Sequence, residues 1–114
     1  MARHRLDNYL RAYRRRLGLS QADVAALCGA RSGAQISRYE CGKRRPTLDN
    51  MLACEAVFGV PVKELFAGRY DKIVKSVLRR AEVRAHELTV EKPGLIRSRR
   101  LRALSSVGKL ASER

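Results

Sequence analysis

The sequence predicts an all-α protein: five short helices in one domain, then a longer amphipathic helix, then a basic tail. Three observations carry that expectation. Apolar residues recur at three- and four-residue spacing along most of the chain. Ser20, Ser32 and Thr47 stand where helix N-caps are needed. Gly18, Gly29, Gly42, Gly59 and Gly68 close the periodic runs.

The first helix is expected over residues 6–17, where Leu6, Leu10, Tyr13 and Leu17 share a face and Arg14, Arg15 and Arg16 sit near the favourable carboxyl end. Ser20 followed by Asp23 has the spacing of a capping box, so a second helix should run from Gln21 to Cys28, with Val24, Ala25 and Cys28 facing inward. Ser32 and Gln35 repeat that spacing and predict a third helix from Gly33, carrying Ile36 and Tyr39 inward and stopped by Gly42. Lys43, Arg44, Arg45 and Pro46 form a basic loop before Thr47, the expected cap of a fourth helix whose apolar residues are Leu48, Met51, Leu52 and either Val57 or Phe58.

Pro61 suits the first turn of a short fifth helix that ends near Phe66, with Gly68 as its breaker. Tyr70, Ile73, Val74, Val77, Leu78, Ala81, Ala85 and Leu88 then mark one face of a sixth helix. That face needs a partner surface, either the protein's own core or the same helix of a second subunit. The segment after Pro93 is rich in Arg and Ser and reads as a mobile arm or a short conditional helix. The expected divisions are therefore 1–68, 69–91 and 92–114.

At 114 residues the chain can bury one core. Its 25 Lys and Arg against 11 Asp and Glu give a net charge of +14, which implies a polyanionic partner, nucleic acid first. Cys28, Cys41 and Cys54 are odd in number and lack metal-ligand spacing, so neither a disulfide framework nor a zinc site is expected, and a reducing cytoplasm is the simplest setting. Cys28 and Cys54 read as small core residues, and Cys41 as exposed at a helix end. No apolar run approaches the ~20 residues of a membrane span, and the Arg-rich start lacks the apolar segment of a secretory signal.

Residues 10–66 resemble the phage repressor and Cro type of helix-turn-helix regulator, the XRE family. The resemblance rests on Leu10, Tyr13 and Arg14 before GLSQ, the run QADVA, the turn glycine Gly29, ISRYE, then GKRRP and the apolar helix after Thr47. It implies a five-helix repressor-like domain whose third helix enters the major groove. The physics of that helix start agrees: unpaired amides and the positive dipole end favour phosphate, and nearby side chains reach base edges. Arg31, Ser32, Gly33, Ala34, Gln35, Ser37 and Arg38 are the base-contact candidates. Arg suits guanine, Gln suits adenine, and Ala suits the thymine methyl.

Gln35 has an alternative use as a cap on its own helix, and Arg31 one as a solvated turn residue. The resemblance further implies phosphate contacts from Gln21, Lys43, Arg44 and Arg45, and a pairing of Arg14 with Glu40 that clamps the first helix to the third. Between Gln21 and Glu40 the chain is one residue longer than the commonest family spacing, the extra residue lying in ARSGAQ, and Cys41 stands where the family often has Asn.

The function expected is a sequence-specific regulator of transcription, a dimeric repressor on a two-fold-symmetric operator with double-stranded DNA as its partner. The alternative is an antitoxin-like interaction module that takes a protein partner on the face from Tyr70 to Leu88 and autoregulates through DNA. An enzyme is not expected: His4 and His86 lie on polar segments, and no catalytic set or phosphate cradle is present. No cofactor is expected.

Overall fold

The computed structural model describes residues 6–91 and 93–109, and all the regular elements among them are helices. The chain divides into two compact units, residues 1–70 and 71–114.

The first unit holds α1 (Leu10–Arg16), α2 (Gln21–Cys28), α3 (Gly33–Glu40), α4 (Leu48–Phe58), α5 (Val62–Leu65) and the first turn of α6 (Ala67–Thr89). The capping box of α2 forms in full: Ser20 Oγ accepts from the Asp23 amide at 3.0 Å, and the Asp23 carboxylate accepts from the Ser20 amide at 2.9 Å. The Ser20 amide, joined by its hydroxyl, holds the Asp23 carboxyl below its ordinary range. Gly29 then ends α2 at φ +70°, a conformation that a Cβ makes costly. Leu10, Val24, Ala25, Cys28, Ile36, Tyr39, Cys54, Leu65 and Phe66 make the core, with Tyr13, Met51, Val57 and Phe58 packed against it.

The first helix begins four residues later than the apolar spacing predicts. Asn8 is buried, and its Oδ1 accepts from the Leu10 amide at 3.2 Å while its Nδ2 donates to the Tyr39 carbonyl at 2.9 Å. Those bonds fix residues 8–10 as a helix start and leave Leu6 and Leu17 exposed, not on a core face. In α4, Thr47 caps the Asn50 amide, but Leu48 and Leu52 face solvent. The inward positions are Asn50 and Cys54, because Asn50 Nδ2 reaches the buried Tyr39 hydroxyl at 2.9 Å and sets the rotation of the helix.

Gly68 does not break the chain's helical path. It lies in the first turn of α6, where its amide donates to the Leu6 carbonyl at 3.0 Å and the Arg69 amide to Asp7 at 3.2 Å. These carbonyls satisfy amides at the start of the helix.

The second unit comprises the rest of α6 and α7 (Leu95–Ser105), so the segment read as an arm or a conditional helix is helical over Leu95–Ser105 and turns at residues 106–108. Arg97 Nη1 donates to the Glu91 carbonyl at 2.6 Å across the connecting turn. A Cβ on Gly108 would stand 2.8 Å from Leu78 Cδ2, so the end of this unit packs tightly on α6. Leu88 is fully buried, whereas Ile73, Val77 and Val83 are exposed.

Candidate nucleic-acid interface

The turn between α2 and α3 runs from Gly29 to Ser32. Ser32 adopts extended backbone and its carbonyl accepts from the Gln35 and Ile36 amides, but its hydroxyl caps nothing. The second capping box therefore does not form. In its place the Gln35 side-chain Oε1 accepts from the Arg31 amide at 2.9 Å, and Gln35 Nε2 donates to the Tyr39 hydroxyl at 2.7 Å. Gln35 is half-buried and engaged at both ends within the protein.

Gly33 likewise turns inward. A Cβ there would lie 3.1 Å from the Ala22 amide nitrogen and 3.4 Å from Gln21, so this base-contact candidate packs against α2. Its lack of a side chain lets α3 approach the start of α2 closely. Arg31, Ser32, Ala34 and Arg38 are exposed at or along α3, and Ser37 is half-buried.

The basic loop is held to the carboxyl end of α3 by backbone bonds. The Arg38 carbonyl accepts both the Lys43 amide at 2.9 Å and the Arg44 amide at 3.3 Å, a turn made possible by Gly42 at φ +73°. Lys43, Arg44 and Arg45 are all exposed.

Glu40 lies at the junction of three helices. Arg14 meets it through two bonds, Nε to Oε2 at 2.6 Å and Nη2 to Oε1 at 3.2 Å, and also donates to the Leu19 carbonyl. Gln21 Nε2 donates to Oε1 at 3.2 Å, and Arg11 lies 3.5 Å from the same oxygen. The Glu40 side chain is 1% exposed and that of Arg14 11%. Burial pushes the Glu40 carboxyl up, but the hydrogen bonds from Arg14 and Gln21 outweigh it and hold the group below its ordinary range. The same bond to Glu40 raises Arg14. Gln21, a phosphate candidate, thus spends one side-chain N–H on the protein.

Sequence reasoning did not find Asn8 or Asn50, the buried amides that converge on Tyr39. Both stand beside helix starts, where Asn reads first as a turn or cap residue.

Residues 10–65 match the family model described as helix-turn-helix. No curated protein and no solved structure matches the chain. Among the described residues no helix is long and apolar enough to cross a membrane. The family match opens on the first residue of α1 and closes on the last of α5. It therefore covers the helices that carry Gln21, the exposed start of α3 and the loop pinned to Arg38. Residues 10–65 of the chain form a helix-turn-helix domain of the Cro/C1 (XRE) type, the domain of a family of DNA-binding regulators.

Proposed function

We propose that this protein is a sequence-specific regulator of transcription that acts as a dimeric repressor on a two-fold-symmetric operator. The observation that carries the proposal is the placement of the exposed Arg31, Ser32 and Ala34 at the amino end of α3, with the exposed cations of the Lys43 loop tied to its other end. A duplex groove offers base edges to the first set and phosphates to the second. Arg31 and Arg38 are the readers of guanine in this proposal, and Ala34 the contact to a thymine methyl. Ser37 and Gln21 lie at its margins. Exposed Ile73 and Val77 on α6 supply the apolar face for association of two copies.

Selection of bound duplexes from a random pool tests this. We expect a preferred sequence with two inverted halves about 34 Å apart along the duplex. Replacement of Lys43, Arg44 and Arg45 by Gln should weaken binding to every duplex and flatten its salt dependence by about 0.9 in log–log slope for each phosphate no longer neutralised. A pool that converges on no sequence would overturn the proposal.

A further inference from the structure

The family match ends at residue 65, yet half of the chain's positive charge lies beyond it. Residues 71–114 carry twelve Lys and Arg against five Asp and Glu, a formal +7 of the total +14. Charge that merely solvated a helical hairpin would come in balanced pairs along its faces. Here it does not.

On α6, Lys72, Lys75 and Arg79 are all exposed, and their spacing of three and four residues places them on one face. At 100° per residue that face is opposite buried Leu88. The carboxylates of Glu87 and Glu91 are occupied elsewhere, beside Arg84 at 3.8 Å and Arg100 at 3.5 Å. On α7, Arg99 and Arg102 are exposed three residues apart, whereas Arg97 and Arg100 are half-buried against their own unit. The two helices thus each offer an outward cationic row from a compact scaffold.

We propose that this second unit is a separate, sequence-independent grip on the DNA backbone, made by Lys72, Lys75 and Arg79 on α6 with Arg99 and Arg102 on α7. The inference rests on the duplex-binding reading above. Phosphate is the complementary ligand for rows of this kind, and it supplies no base-specific information. The unit is covalently joined to a domain that holds duplex, so individually weak phosphate contacts act at a high effective concentration. An anionic membrane fits less well. A surface-lying helix needs its apolar residues gathered on one side, but exposed Leu95 and Ile96 adjoin Arg99 and Arg102 on α7.

The test uses the full chain and fluorescence anisotropy on a selected duplex and a random duplex across a salt series. The variant replaces Lys72, Lys75, Arg79, Arg99 and Arg102 with Gln. We expect its log–log salt slope to be shallower by two or more on both duplexes, at about 0.9 per neutralised phosphate. Affinity should fall by about the same factor on each, so the ratio between them is kept. A slope that changes by less than about one unit overturns the inference.

Loss of binding to phosphatidylglycerol vesicles with an unchanged DNA slope would assign the surface to lipid and also overturns it. If the fivefold variant does not fold, Glu82→Lys decides. Exposed Glu82 flanks Lys75 and Arg79, so a steeper slope on random duplex supports the grip and an unchanged slope refutes it. Failure of the wild-type chain to prefer any selected sequence would sink the repressor reading alone, because the slopes on random duplex would still be legible.

Discussion

Gln35 donates to the buried hydroxyl of Tyr39 at 2.7 Å while its side-chain oxygen takes the Arg31 amide at 2.9 Å. One side chain therefore ties the entrance of α3 to the core. Gln35→Ala should cost about 1–2 kcal/mol of unfolding free energy, the range for a hydrogen-bonded group with a buried partner. The base preferences recovered by duplex selection should be those of the wild type. Denaturant unfolding and a repeated selection on the variant check the two halves of this expectation.

Removal of Glu40 should be more damaging, because two arginines and Gln21 converge on it and its side chain is almost wholly buried. Glu40→Ala leaves the Arg14 guanidinium without its carboxylate, at a cost on the order of 3–5 kcal/mol. Thermal melts should show a larger drop than for Glu64→Ala, a substitution at an exposed position.

The same carboxyl predicts a pH dependence. Its folded pKa is depressed, so its contribution to stability is whole above the unfolded glutamate value of about 4.3. It declines as pH falls below that value and is gone once the folded group protonates. Melting temperatures measured between pH 7 and pH 3 should fall at the acid end in the wild type. Glu40→Gln should show a smaller fall over the same interval.

Gly33→Ala should destabilise through crowding, not through backbone strain. The added carbon would meet the Ala22 nitrogen at 3.1 Å, and main chain cannot swing aside as a flexible side-chain tip can. A drop of about 1–3 kcal/mol is expected in denaturant titrations. Gly59→Ala has open space around it, so only the strain of its φ of +67° should register there.

Thiol accessibility should separate the cysteines. Cys28 and Cys54 are buried with their sulfurs 3.6 Å apart, and burial, reinforced by Cys28, pushes the Cys54 thiol up to about 12. Cys41 is exposed. A chromogenic disulfide reagent should titrate one thiol per chain quickly in the native protein and all three in denaturant.

Most of this fold was legible from local rules. Ser20, Thr47, Gly29 and Gly59 delimit helices because capping and left-handed stops depend on residues within one turn of each other. Met51, Val57 and Phe58 pack on the core as apolar residues of α4 should, but the inward Asn50 and the start of α1 were not legible, because Asn50 and Asn8 answer to Tyr39 through tertiary contacts. Periodicity favoured Leu48, Leu52 and Leu6 as inward residues, but a buried hydroxyl and carbonyl that needed donors decided otherwise.

The site divides along the same line. Exposed Arg31, Ala34 and the Lys43 loop lie where the pattern suggests. The sequence offered Gln35 a capping use within its own helix, but its bond to the Tyr39 hydroxyl and the packing of Gly33 on α2 are tertiary contacts that no spacing rule supplies.

The two loop amides that share the Arg38 carbonyl preset the backbone beneath Lys43 and Arg44 before any duplex arrives. In the proposed docking this loop keeps its backbone and only its side-chain rotamers settle. Stopped-flow mixing at low salt should accordingly give one concentration-dependent relaxation, at a speed governed by encounter.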